Sequence, residues 1–437
     1  MKNPILLLPL IFFASCNGLQ SIKSALSPPS PYEHYVESLK TAGLLDTAMA
    51  RGWLAAGERA LNDSIVLALP FSESGFVEAG TPQARGYKFT AKDGQVLTVK
   101  ASVKASPDAK VFVELFVRDD QEWERVAHAD STRTLTYEFR HNEECVLRLQ
   151  PELLANVWYA VDISLTPVLI NPVAGATNKS IGSFYGAPRD NGRRSHEGVD
   201  IFAPKGTPVL APTDGYISRV GLNRLGGKVV WMKDLKRGHS YYFAHLDSQM
   251  VEPGMRVYQG HVLGLVGNTG NAKRTPPHLH FGIYQSGSKD PLHYIRQMEQ
   301  AMASVPIDTG FQQKPFKVAR KMASVFFGPS LKSDIKASIE KNTYVTVLGQ
   351  TNEWYRIALP DNLEGYIPKN QVTPLTAGRQ YTLDSAAILL TAVDDGAVPI
   401  EVIDPSASVE VLAHYKEHSY IRASSGNAGW IVHDRRL

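Results

Sequence analysis

Four histidines and one aspartate fall in three short segments whose composition suits metal-dependent hydrolysis. The segments are Ser195-His196-Glu197-Gly198-Val199-Asp200, Tyr242-Phe243-Ala244-His245-Leu246 and Pro277-His278-Leu279-His280-Phe281. Imidazole nitrogen mixed with carboxylate oxygen is the donor set that zinc takes. Val199, Ile201 and Phe202 follow His196, and the next turn signal is Pro204-Lys205-Gly206. That pattern is a short strand rather than a helix. The run Leu279 to Tyr284 alternates in the same way. Side chains two apart on a strand share a face, so His278 and His280 point together. One of them can ligate a metal while the other reaches a substrate bound to it. Glu197 beside His196 invites comparison with the helical HExxH metalloproteases. The comparison fails, because Gly198 is a poor helix residue and Asp200, not His, stands fourth after His196.

Taken together, H-x(3)-D, then aromatic-x-A-H-L, then H-x-H-F resembles the lysostaphin-type (LytM-like) zinc metallopeptidases that cut peptidoglycan cross-links. The flanks resemble that family too: Gly198-Val199-Asp200-Ile201, Gly206-Thr207-Pro208-Val209, Asp214-Gly215 and Gly264-Leu265-Val266-Gly267-Asn268-Thr269-Gly270. The likeness covers roughly residues 180 to 296. It implies that His196, Asp200 and His280 hold Zn2+ and that His245 and His278 serve catalysis. One departure is Asn271 to Pro277, before His278, where many relatives have a shorter Ser/Gly-rich link. That segment is expected to reshape the substrate groove and leave the ligands intact.

The elements that position these residues follow from the rest of the chain. At 437 residues there is room for three or four domains. Composition is ordinary for a globular protein. The formal net charge is +3, but residues 182–296 carry 15 Lys and Arg against 8 Asp and Glu. A basic peptidase module suits an anionic wall polymer. No nucleic-acid partner is expected. Residues 1–15 read as a signal peptide: one Lys, an apolar run from Ile5 to Phe13, then Ala14-Ser15-Cys16. The run is too short to span a membrane. Small residues before Cys16 resemble a bacterial lipobox, which implies lipidation at Cys16 and an exported, membrane-anchored cell-envelope lipoprotein. Cys145 sits in an alternating strand and reads as a small buried hydrophobe.

The expected fold is mainly β. Residues 16–31 are a Ser/Pro-rich tether, and 32–62 are helical, with Gly43 and Gly52 suggesting two short helices. Period-two runs over 63–168, such as Val111, Val113, Leu115 and Val117, suggest a β-sandwich accessory domain. Residues 169–303 form an antiparallel all-β LytM-like peptidase domain closed by a helix near Pro291–Ala303. Asn223 to Lys228 lacks the Walker spacing and reads as a hairpin turn. His239, His261 and His293 are expected on the surface. The tail repeats at an offset of 64: Val345/Val409, Ile357/Ile421, Gly365/Gly429, Tyr366/Trp430 and Ile367/Ile431. This resembles two small SH3-like β-barrels, 311–374 and 375–437, which often bind wall peptides. Repeats this short are expected to be independent modules.

Three ligands leave a fourth metal position for water, whose proton and whose attack on a carbonyl the other two histidines would manage. The functional expectation is a zinc endopeptidase acting on peptidoglycan stem peptides and cross-links. The rival is a non-catalytic wall-binding scaffold or activator of other wall hydrolases. Retention of all five residues argues against the rival.

Overall fold

The computed structural model describes residues 28–62, 65–105, 108–298, 303–394 and 396–432, so Cys16 and the apolar run before it lie outside the described residues. The chain divides into two units, Met1–Gly52 and Trp53–Leu437. In the first, helix α1 (Pro31–Thr41) opens with a capping box. Ser30 Oγ accepts from the Glu33 amide at 3.2 Å, and Glu33 Oε2 accepts from the Ser30 amide at 2.6 Å. Pro31 occupies a position where no amide donor is needed. Gly43, at φ +70, ends this helical stretch. Helix α2 (Ala48–Asn62) runs through Gly52 without a break. Among the described residues no helix is long and apolar enough to cross a membrane.

The second unit is mainly β. Its first part is a sandwich. One sheet orders Ile65–Val66, Arg85–Ala91, Glu143–Pro151, Val111–Asp119 and Glu122–His128. The facing sheet contains Phe71–Val77, Val157–Pro167, Gln95–Ala105 and Thr134–Glu138. Alternate residues of both sheets, among them Tyr87, Leu97, Val113, Leu147 and Val161, fill one core. Cys145 is fully buried in it, and burial pushes its thiol up to about 12.

Next comes an eight-stranded antiparallel sheet. Its central strands are β1 (Val199–Phe202), β2 (Gly215–Asn223), β3 (Gly227–Lys233), β4 (Ser240–Leu246) and β5 (His278–Tyr284). The spatial order is β1-β5-β4-β3-β2. Asn223 to Lys228 is the β2–β3 hairpin turn, as its sequence suggests. The closing helix is shorter than expected, Leu292–Ile295. The sandwich is clamped to this sheet by ion pairs: Arg237 Nε and Nη2 reach the two oxygens of Glu138 at 2.7 and 3.1 Å, Lys236 Nζ reaches Glu138 at 3.3 Å, and Lys289 Nζ reaches Asp93 at 2.6 Å. Gly94, at φ +86, lets the backbone lie against the Tyr294 ring, where a Cβ would stand 2.4 Å from it.

The tail corrects the expectation of independent modules. Tail strand Tyr344–Gln350 pairs with sandwich strand Phe71–Val77, at Ser74↔Gln350 and Gly75↔Gly349, so one sheet of eleven strands runs through both. Beside that seam Glu73 is fully buried. It accepts from the hydroxyls of Tyr87 at 2.7 Å and Tyr159 at 2.9 Å, and from that of Tyr366. Arg356, also buried, lies 3.5 Å from Glu73 and bonds Glu364 at 2.8 Å. A buried carboxylate is tolerated only with such partners. Six tail strands from Arg379 to Val432 form the second small sheet. It docks on the first copy through a parallel bridge, Thr343↔His414, and through Trp430, whose ring lies 4.9 Å from Tyr344. The aromatic of each repeat therefore anchors its copy to the element before it: Tyr366 to the sandwich, Trp430 to the first copy.

Candidate active site

The sheet register brings the three segments together. Asp200 on β1 faces His280 on β5, and His280 faces Ala244 on β4, next to His245. His196 precedes β1 and is fixed by its own backbone: its amide donates to Ala187 and its carbonyl accepts from Gly186, both at 2.9 Å. Gly198 is needed for closeness. A Cβ there would lie 2.4 Å from the Phe281 carbonyl and 2.9 Å from the His280 ring.

Three donor atoms converge. His196 Nε2 lies 3.0 Å from Asp200 Oδ1 and 2.9 Å from His280 Nδ1, and His280 Nδ1 lies 3.1 Å from Asp200 Oδ1. Among the described residues, these three are the group whose donor atoms lie close enough together to hold a metal ion. The donor chemistry fits zinc. Bonds of about 2.0 Å at tetrahedral angles put ligand atoms about 3.3 Å apart, close to what is seen. The outer shell fits as well. His196 Nδ1 donates to the Phe184 carbonyl at 2.9 Å, which leaves Nε2 bare. Arg189 Nη2 takes Asp200 Oδ2 at 2.8 Å and also bonds Ser183 Oγ at 2.7 Å, which leaves Oδ1 as the free carboxylate oxygen. Burial opposes the charge on Asp200, but hydrogen bonds and charge from His196 and His280 outweigh it and hold the carboxyl well below the usual range. Burial lowers His280, with Asp200 acting in the opposite direction.

The other two histidines stand beside this group. The His245 and His278 rings are 5.0 Å apart, and His278 Nε2 lies 4.0 Å from Asp200 Oδ1. Each ring is held by a carbonyl: His245 Nδ1 donates to Thr269 and His278 Nδ1 to Pro276, both at 2.9 Å. In both rings Nε2 is then the unprotonated nitrogen, able to accept a proton. Burial lowers His245 to about 4, so it is neutral at pH 7. Its backbone sits at φ +63, a region that costs a non-glycine residue energy and that clusters at functional sites.

All five residues line one cleft of about 600 Å³, and every residue lining it lies between Ser183 and Tyr284. Asn271, Ala272, Thr275 and Pro276, from the segment where the sequence departs from its pattern, form part of its wall. Sequence reading missed Arg189, which lies eleven positions before Asp200 in no recognisable spacing. It also placed His239 on the surface. That ring is 5% exposed, lying against Tyr241 and Tyr294 near the sandwich contact.

The family model described as peptidase family M23 matches residues 194–291, which contain all five of these residues. Residues 194–291 are an M23 peptidase domain. A bacterial SH3 domain model matches residues 323–373. Among curated relatives, an L-Ala–D-Glu endopeptidase of Bacillus subtilis is 36% identical over 142 residues, 30% of this chain and 43% of that protein. The peptidoglycan DD-endopeptidase ShyC of Vibrio cholerae is 35% identical over 94 residues, 22% of this chain and 21% of that protein. The chain thus spans less than half the length of these relatives. Among solved structures, the catalytic domain of lysostaphin from Staphylococcus simulans is 32% identical, covering 25% of this chain and 87% of that one, with a TM-score of 0.24. The M23 match and the tail's SH3 match fall on the segments whose motifs resembled those families.

Proposed function

We propose that the chain is a zinc-dependent endopeptidase hydrolysing stem peptides or peptide cross-links of bacterial peptidoglycan. The observation that carries this reading is the convergence of His196 Nε2, Asp200 Oδ1 and His280 Nδ1 within 3.1 Å of one another, beside two histidines with bare Nε2 atoms. Zinc, when bound by His196, Asp200 and His280, supplies Lewis acidity toward water and toward a carbonyl oxygen.

The chain's own residues supply the rest. His278 Nε2, nearest Asp200, accepts a proton from the attacking water and is the base. His245 Nε2 receives the water's proton from His278, whose ring lies 5.0 Å away, holds it toward the developing oxyanion and delivers it to the leaving amine, so that both rings return to their starting protonation. The Thr269 and Pro276 carbonyls keep both rings in the required tautomer and orientation. Arg189 holds Asp200 in place, and the cleft walls orient the peptide. The relative named as a peptidoglycan DD-endopeptidase supports the substrate class.

Two further parts belong to this reading. The tail, with its bacterial SH3 domain, is proposed to hold wall peptide without doing chemistry. Lipidation at Cys16 is proposed to anchor the protein in the cell envelope; Cys16→Ser should then release it from the membrane fraction, and unchanged membrane retention would count against the anchor. The reading as a whole is tested by digesting purified peptidoglycan with the zinc-loaded protein and identifying the new termini.

A further inference from the structure

At the end of β5 remote from His278, the cleft changes character. Tyr284 and Tyr242 line it together with Glu197. Trp231 packs on both tyrosines, with ring centroids 4.5 Å from Tyr242 and 5.3 Å from Tyr284. The Tyr284 hydroxyl donates to Glu197 Oε2 at 3.3 Å, leaving Oε1 open. Gly282 keeps the Tyr284 ring down on bare backbone, since a Cβ there would stand 2.8 Å from the ring and 3.2 Å from the Glu197 carbonyl.

The lining carries two carboxylates. Asp200 is committed to Arg189 and to the two histidines. Glu197 is exposed and, among the described residues, has no cationic partner. The surrounding segment is strongly basic, with 15 Lys and Arg against 8 Asp and Glu over 182–296. An unneutralised carboxylate beside two aromatic rings, next in sequence to His196, has the make-up of an ammonium site. Aromatic faces attract a cation, and a carboxylate gives it a directed hydrogen bond.

We propose that Glu197, Tyr242 and Tyr284 form a subsite for a protonated primary amine carried by the substrate peptide near the scissile bond. The substrate class is then a peptide containing a free diamino-acid side chain, rather than a neutral glycine-type bridge. Burial, with the Glu197 charge, raises the Tyr284 phenol, so it remains a donor to Glu197. Arg219, opposite Trp231 on β2, stands one strand further out and is not part of the lining. This subsite rests on the peptidase reading of the cleft.

The test uses the full chain and two synthetic stem-type peptides, one with lysine and one with Nε-acetyl-lysine, followed both by calorimetric binding and by cleavage. Acetylation should weaken binding about ten-fold, the size expected of a cation held by aromatic faces and a carboxylate. Glu197→Gln, with unchanged metal content and melting behaviour, should erase that difference and leave the acetylated peptide's affinity as it was. Tyr242→Leu should reduce the difference independently of Glu197. Equal binding of both peptides by the unaltered chain, or a ten-fold preference surviving in Glu197→Gln, overturns the subsite. Selective binding without cleavage of either peptide would sink the peptidase reading and leave the subsite standing. Cleavage of both at equal kcat/KM would do the reverse.

Discussion

Arg189 Nη2 lies 2.8 Å from Asp200 Oδ2, and that contact leaves the other oxygen, Oδ1, facing His196 and His280. Oδ1 is thus the oxygen that would serve a metal, while Oδ2 is engaged by Arg189. Outer contacts of this kind typically change metal affinity by about 10- to 100-fold when removed. Arg189→Ala should therefore weaken zinc binding by about that factor in chelator competition. Arg189→Lys should recover part of the loss, because lysine keeps the charge without the planar fork. Zinc affinity unchanged in the alanine variant would show that Arg189 does not position the ligand.

His245 and His278 are assigned to proton transfer and charge stabilisation, with no bond to the metal. His245→Ala and His278→Ala should each keep near-normal zinc and lose at least about 10²-fold in cleavage rate. The double variant should lose less than the product of the two, since residues acting as a unit are not additive. Near-normal turnover by a folded His245→Ala protein would reduce that histidine to a support for its strand.

The tail gives a stability prediction. Tyr366 donates to the buried carboxylate of Glu73, 293 positions away in sequence. Tyr366→Phe should destabilise the protein by about 1–3 kcal/mol in denaturant unfolding, the cost of leaving a buried polar group short of a partner. Removing residues 306–437 should cost more, because it also strips Arg356 and a paired strand from the Phe71–Val77 edge. A truncated protein as stable as the full chain would contradict a tail built into the sandwich.

The reach of the sequence is uneven for a physical reason. That His278 and His280 share a face was legible from strand alternation, whereas the grouping of His196 and Asp200 with His280 came from the resemblance of their motifs; the strand register then shows the three donor atoms side by side. The mainly β layout and the sandwich were legible from period-two runs, and the duplication of the tail from the repeat at 64. Arg189 was not, because its contact with Asp200 depends on how a separate hairpin folds back. Tyr366 and Trp430 were legible as a repeat but not as anchors, since repetition speaks to local fold and not to what packs outside it. His239 was misplaced because a lone histidine carries no pattern, and a domain contact buries it. Gly198 was read as unsuited to a helix and as part of a family-like flank; its role in letting His280 close on the site appears when the strands are paired.

The contact between sandwich and peptidase domain carries a pH signature. Burial disfavours the charge on Glu138, but hydrogen bonds and charge from Arg237 outweigh it and hold the carboxyl below the usual carboxylate range. A carboxylate with a lowered folded-state pKa adds stability that is complete above its ordinary value and is lost as pH falls through the folded value. The stability difference between the unaltered chain and Glu138→Gln should thus be constant from neutral pH down to about 5 and shrink in more acidic solution. A difference that grows on acidification would contradict this sign.

The most direct test of the central claim is mass analysis of the fragments released from purified peptidoglycan by the zinc-loaded chain, run beside His280→Ala. The expected result is new amino and carboxyl termini within stem peptides or cross-links, with the glycan intact, and none from His280→Ala. Absence of new peptide termini with folded, zinc-loaded protein, or equal release by His280→Ala, would contradict it.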